Sequence, residues 1–212
     1  MGKQRARSQE ELNQRYEDIL TAAQNLFMNN DYDDLSLTNI AKSLDLSRPA
    51  LYSYFRSKEA LFLKLSEREY LAVSHEIKER FTKKVGTKKF CVQLTEIFLN
   101  RPLFLKLLSL HQSVMETKVG FEQMKKFKMA TVPFFRTIFA ACQQEFPNAD
   151  ETEITQFIAQ INVLLPTMSA YQTIPEEQIQ VMKELKIFGE KPLKDALEFY
   201  GETFTQLAQK LI

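Results

Sequence analysis

Apolar residues recur at spacings of three and four through most of the chain, the mark of helices with one buried face. In residues 9–29, Ile19, Ala22, Ala23, Leu26 and Phe27 make such a face, and the turn-prone run NNDYDD closes it. Ser36 stands where an N-cap belongs, with Asn39 three positions on as a capping-box partner, and Leu37, Ile40, Ala41 and Leu44 turn inward. The polar break DLS follows. Ser47 then caps a third, short helix with Pro49 in its first turn, where a missing N–H costs little. Leu51 and Phe55 face the core of this unit. Ser57 caps a fourth helix that is predicted to run to about Phe81.

After KKVGTKK the pattern predicts further helices over 88–99, 102–118, 121–146, 150–171, 175–188 and 192–212. Pro102, Pro147, Pro175 and Pro192 fall at element ends, whereas Pro133 lies inside a helical pattern and predicts a kink. Strand signals, internal repeats and low-complexity runs are missing, so the fold class is all-α. Two segments carry heptad seams: Ile154, Phe157, Ile161, Leu164, Met168 and Tyr171, and then Leu193, Leu197, Tyr200, Phe204, Leu207 and Leu211. Such a seam is either buried inside one subunit or shared with a second copy.

Composition changes this picture little. With 44% apolar and 26% charged residues the chain is ordinary for a globular protein of 212 residues. Seventeen Phe against five Gly argue for packed helices, with room for an apolar cavity. The net charge of +1 does not announce a nucleic-acid binder, but Lys3, Arg5 and Arg7 make a basic arm, and Lys42, Arg48, Arg56 and Lys58 a second basic group around Asp45. Cys91 and Cys142 are too far apart in sequence for metal-ligand spacing and make no disulfide framework, so a reducing cytosol is the simplest compartment. The first residues lack the apolar stretch of a signal peptide, and no run reaches the roughly 18 apolar residues of a membrane span. There is no nucleophile elbow, phosphate-binding glycine loop, zincin motif or paired Glu-x-x-His, so neither an enzyme nor a metal or cofactor site is expected.

Two helices joined by a three- or four-residue turn is the helix-turn-helix plan. In residues 36–55 the second helix would brace the third, which offers Arg48, Pro49, Ala50 and Ser53 outward at its N-terminal end, where a recognition helix meets base edges. Arg48 suits guanine O6 and N7. Thr38, Tyr52, Tyr54 and Lys58 are hydroxyl and ammonium donors suited to phosphates, and the amides of residues 57–59 suit another. A plain three-helix core would show the same Leu37, Ile40, Leu44, Leu51 and Phe55. It does not account for two tyrosines, Arg48 and Lys58 in one neighbourhood.

The stretches ILTAAQNLF, SLTNIAKSLDLSRPALYSYF and SKEALF, within residues 15–65, resemble the DNA-binding domain of the TetR family of transcriptional regulators. The resemblance implies DNA contact by Thr38, Asn39, Ser47, Arg48, Pro49, Ala50, Tyr52, Tyr54 and Lys58. It departs from the family in the turn, where Asp45 replaces the usual glycine. Asp tolerates the left-handed backbone better than most residues, so the turn is expected to form.

The resemblance also implies a domain plan: a DNA-binding domain over 1–60, and an effector-binding and dimerisation domain over 61–212, joined within the long fourth helix. The Phe- and Met-rich middle holds candidate pocket residues: Phe104, Leu108, His111, Met115, Phe127, Phe134 and Phe135, with Ile161 and Leu165 from a later helix. Ordinary core is the competing reading of each. Polar contacts would come from His111, Gln112, Glu116, Gln143 or Gln160, which leaves a cavity suited to a lipophilic molecule. Phe157, Ile161, Leu164, Met168, Leu197, Tyr200, Phe204 and Leu207 are the candidate dimer contacts. The expected function is a dimeric, ligand-responsive regulator of operator DNA, a repressor released by a small apolar effector, in the cytoplasm. The alternative is an architectural or partner-regulated DNA-binding protein without a small-molecule effector.

Overall fold

The computed structural model describes residues 8–110, 119–187 and 194–212. Serine and aspartate side chains start most of its helices. Ser8 begins α1 (Gln9–Asn29) with a reciprocal capping box to Glu11. Ser36 caps α2 (Leu37–Ser43) by accepting from the Asn39 amide at 3.1 Å. The capping box expected there does not close, because the Asn39 carboxamide donates to the Asp34 carbonyl instead. Ser47 caps α3 (Arg48–Tyr52) and Ser57 caps α4 (Lys58–Arg80) in the same way.

The α2–α3 turn is built on Asp45, which takes the left-handed conformation at φ 53°. Leu46 N–H donates to the Ala41 carbonyl and Asp45 N–H to that of Lys42, the pair of bonds that closes a helix in a Schellman motif. Asp thus fills the place where glycine is usual, as the sequence predicted.

Beyond α4 lie α5 (Thr87–Leu99), α6 (Pro102–Leu110), α7 (Phe121–Glu145), α8 (Glu151–Gln172), α9 (Glu176–Glu184) and α10 (Ala196–Leu207), which ends in a 3-10 turn at Ala208–Leu211. Among the described residues there are ten α-helices and no strand. Helix α7 runs on through Pro133. Glu145, 2% exposed at the end of α7, accepts from the amides of Val85 and Gly86 at 2.8 Å each and so closes the N-terminal end of α5, where no side-chain cap exists. Among the described residues no helix is long and apolar enough to cross a membrane.

Among the described residues one hydrophobic core extends from Ile19 to Leu211, and α4 carries it. At one end Phe62 packs edge-on against Phe27 and Tyr32. At the other, Tyr70, Val73 and Ile77 face α6 and α7. Arg68 reaches Gln24 of α1 at 2.6 Å, and Arg101 grips Glu76 through Nε and Nη2.

The two seams fall inside this core. Phe157, Ile161, Met168, Tyr200 and Phe204 are each no more than 3% exposed. They are covered by the same chain, because α10 packs on α5 and α8. Gly201 makes the α5 contact close: a Cβ there would stand 3.2 Å from Val92 Cγ2. Leu164, Leu197 and Leu207 are half-buried. These five side chains are thus buried within the subunit, whereas Leu164, Leu197 and Leu207 keep part of their surface open.

Candidate DNA-binding interface and effector site

Helix α3 is short, and its one fully buried residue is Leu51. That single anchor, with Phe55 just beyond, leaves the rest of its circumference outward. Arg48, Pro49, Tyr52 and Ser53 are exposed and Ala50 is half-exposed. The Ser47 hydroxyl accepts from the Ala50 amide, and that of Ser53 donates to the Ala50 carbonyl. Arg48 and Tyr52 pair on the outer side, with the guanidinium 5.3 Å from the ring centroid. Asn39 is exposed and Thr38 half-buried on α2.

Two residues of the predicted DNA set are turned inward. Tyr54 is half-buried; its hydroxyl is covered and has no hydrogen-bond partner among the described residues. The Lys58 ammonium donates to the Tyr32 carbonyl at 2.7 Å and lies 3.9 Å from the centre of the Tyr32 ring. It ties the start of α4 to the loop before α2. Sequence cannot reveal this, since the partner is a main-chain oxygen 26 residues away.

Of the predicted pocket residues, Phe104, Phe127, Phe134 and Phe135 come together around one side chain that the sequence reading missed. The ring of Tyr70 on α4 lies 5.1 Å from Phe104, 6.1 Å from Phe127, 5.1 Å from Phe134 and 6.3 Å from Phe135. The signal was the inward stripe Leu63, Ser66, Tyr70, Val73 and Ile77 along α4. Leu108 of α6, and Ile161 and Leu165 of α8, are buried on helices that pack together. His111, Gln112, Met115 and Glu116 lie outside the described residues. Gln143 and Gln160 are exposed and so offer no polar contact inside a pocket. Beside Tyr70, Glu69 is 9% exposed. Burial pushes its carboxyl above the ordinary range, against the pull of Arg101 and Arg68.

An all-α chain that displays a serine-capped helix after a tight turn, and roots it through one long helix in a larger apolar bundle, is a helix-turn-helix regulator by its architecture. Residues 19–65 match the family of bacterial regulatory proteins of the tetR type, and residues 67–197 match the tetracyclin repressor-like C-terminal domain. The chain belongs to the TetR family of transcriptional regulators. Members of this family are DNA-binding regulators, not enzymes.

A curated relative, the HTH-type transcriptional regulator EthR of Mycobacterium tuberculosis, is 44% identical over 50 residues, which is 24% of this chain and 23% of that protein. The match thus spans about a quarter of either. Solved structures that resemble the whole chain include the transcriptional regulator FadR from Bacillus subtilis in complex with stearoyl-CoA, with a TM-score of 0.61, 14% identity and coverage of 93% of this chain and 99% of that one. The fatty acid degradation regulator FadR from Bacillus halodurans has a TM-score of 0.60 and 14% identity, over 91% and 93% of the two chains. A TetR regulator from Rhodococcus sp. RHA1 has a TM-score of 0.59 at 14% identity, over 94% and 97%. At this level of identity the likeness establishes the fold.

Proposed function

We propose that this TetR-family regulator is a repressor that binds operator DNA as a homodimer through α3 and leaves it when a small lipophilic effector enters the apolar region around Tyr70. The observation that carries the reading is α4 itself. One unbroken helix packs Phe62 against the DNA-facing unit and Tyr70 against four phenylalanines. An effector that bound better to one setting of α4 than to another would shift the population of DNA-competent molecules.

In this reading Arg48 reads a base edge, and the exposed Asn39, Ser47 and Ser53 set the register on the duplex. A dimer sets two copies of α3 about 34–36 Å apart to meet successive major-groove faces. With five seam residues buried inside the subunit, the dimer contact is assigned to the outer surfaces of α8 and α10, where Val163 is 67% and Phe199 40% exposed. The stearoyl-CoA held by the fold-related Bacillus subtilis FadR makes long acyl chains the first effectors to try.

The test is fluorescence anisotropy on the DNA upstream of the protein's own gene. Wild type is expected to bind tightly and saturably, and Arg48→Ala to lose the preference over random DNA. Acyl-CoA of increasing chain length is expected to lower operator affinity. Specific binding that no lipophilic ligand alters would favour the alternative, a partner-regulated DNA-binding protein. The edge-to-face packing around Tyr70 already fits a filled core. Light scattering of Val163→Glu, expected to be monomeric, tests the dimer face.

A further inference from the structure

Arg48 and Tyr52 stand one helical turn apart on the outer side of α3. The Arg48 guanidinium lies over the Tyr52 ring, and its Nη2 donates to the Tyr52 hydroxyl at 3.3 Å. Tyr52 is 39% exposed, and the adjacent core is filled by Leu51 and Phe55, so the ring is not needed for packing. Among the described residues no carboxylate pairs with Arg48. The side chain that orients it is this tyrosine.

We propose that Tyr52 is a positioning residue for base readout: it holds the Arg48 fork in the orientation a base edge requires and is not a phosphate anchor in its own right. This rests on α3 being the DNA-facing helix. A guanidinium reads guanine through two parallel N–H bonds in one plane, so its specificity depends on orientation more than on charge. A free arginine must lose several rotamers on docking, which lowers the gain from each contact. Stacked on Tyr52 and held by its hydroxyl, Arg48 starts with much of that ordering done. A phosphate contact would behave differently, since it weakens binding on all sequences alike.

The test uses an operator enriched by the full-length wild-type protein from a random duplex library, and every single base-pair variant of it. Arg48→Ala first identifies the base pair whose preference disappears. Tyr52→Ala is then expected to cut discrimination at that same base pair by about 2–5-fold, the scale of an exposed cation–π contact. Its affinity for the operator already changed at that pair should stay within about 2-fold of wild type. Tyr52→Phe, which keeps the ring and loses the hydroxyl, should fall between. In an Arg48→Ala background, Tyr52→Ala should leave the base profile unchanged. Equal loss on all sequences, or a Tyr52 effect that persists without Arg48, overturns the proposal and makes Tyr52 a phosphate or structural residue. A wild type with no sequence preference overturns the DNA-readout reading itself, whereas a preference that Arg48→Ala leaves intact overturns the role of Arg48 and this proposal with it, but not that reading.

Discussion

The ammonium of Lys106 lies 2.6 Å from the carbonyl oxygen of Phe27 and 4.6 Å from the centre of the same residue's ring. It also donates to the Asn30 carbonyl at 3.2 Å. Helix α1 has no basic residue in its last turn, where its free carbonyls concentrate negative charge. A lysine from α6, 79 residues on, supplies that charge and joins the C-terminal bundle to the helix-turn-helix unit. Replacing it with methionine keeps the aliphatic stem and removes the donor. Lys106→Met is expected to cost about 1–2 kcal/mol of stability, read as a lower urea midpoint at unchanged slope.

Glu69 gives a pH dependence of a definite sign. Its carboxyl is held above the ordinary value of 4.5 by burial, with Arg101 and Arg68 opposing. The folded state therefore holds a proton that the unfolded state has already released. Stability falls as pH rises from 4.5 through the folded-state value, and the cost is full above it. Glu69→Gln has no proton to lose. It is expected to be more stable than wild type at neutral pH, with the difference shrinking as pH falls below 4.5. Urea melts of both proteins across that range check it. A gap that stays constant with pH would mean that Glu69 does not titrate in this way.

Glu145 is a structural carboxylate. It is 2% exposed and accepts two backbone amides at the entrance to α5. Glu145→Ala strands both donors and leaves a void, and is expected to destabilise the fold by about 3 kcal/mol. Hydrogen exchange should locate the effect, with the amides of residues 85–86 losing protection first.

Cys91 and Cys142 are free thiols in the core. Burial pushes the Cys91 thiol up to about 12 and raises Cys142 as well. Since the thiolate is the reacting form, neither should be modified by an aromatic disulfide reagent at pH 8 in the folded protein. Both should react in urea, at a rate that reports global unfolding.

How far the sequence could be read depends on how local the cause was. Ser36, Ser47 and Ser57 announce helix starts because a cap bonds an amide three residues away, and all three caps are found. Asp45 could be foreseen in the left-handed turn because that conformation belongs to one residue. The outward side of α3 followed from the inward placement of Leu51 and Phe55. The surroundings of Tyr54 and Lys58 could not be foreseen, for the opposite reason. Their residue types suit a phosphate, but the covered hydroxyl of Tyr54 and the Tyr32 carbonyl bound by Lys58 depend on distant chain.

The heptad seams make the same division sharper. A spacing of three and four states which side of a helix must leave water. It does not state what covers that side, and here α5, α8 and α10 of one chain cover Phe157, Tyr200 and Phe204 between them. Likewise the Phe-rich middle declared an apolar region, but only packing chose Tyr70 as its centre. The sequence by itself determined the all-α class, most helix starts, the helix-turn-helix and the family. Tertiary structure decided which apolar face meets which, where Lys58 and Lys106 spend their charge, and which carboxylates are buried. Those contacts join residues tens of positions apart, and nothing in the local order of side chains encodes their partners.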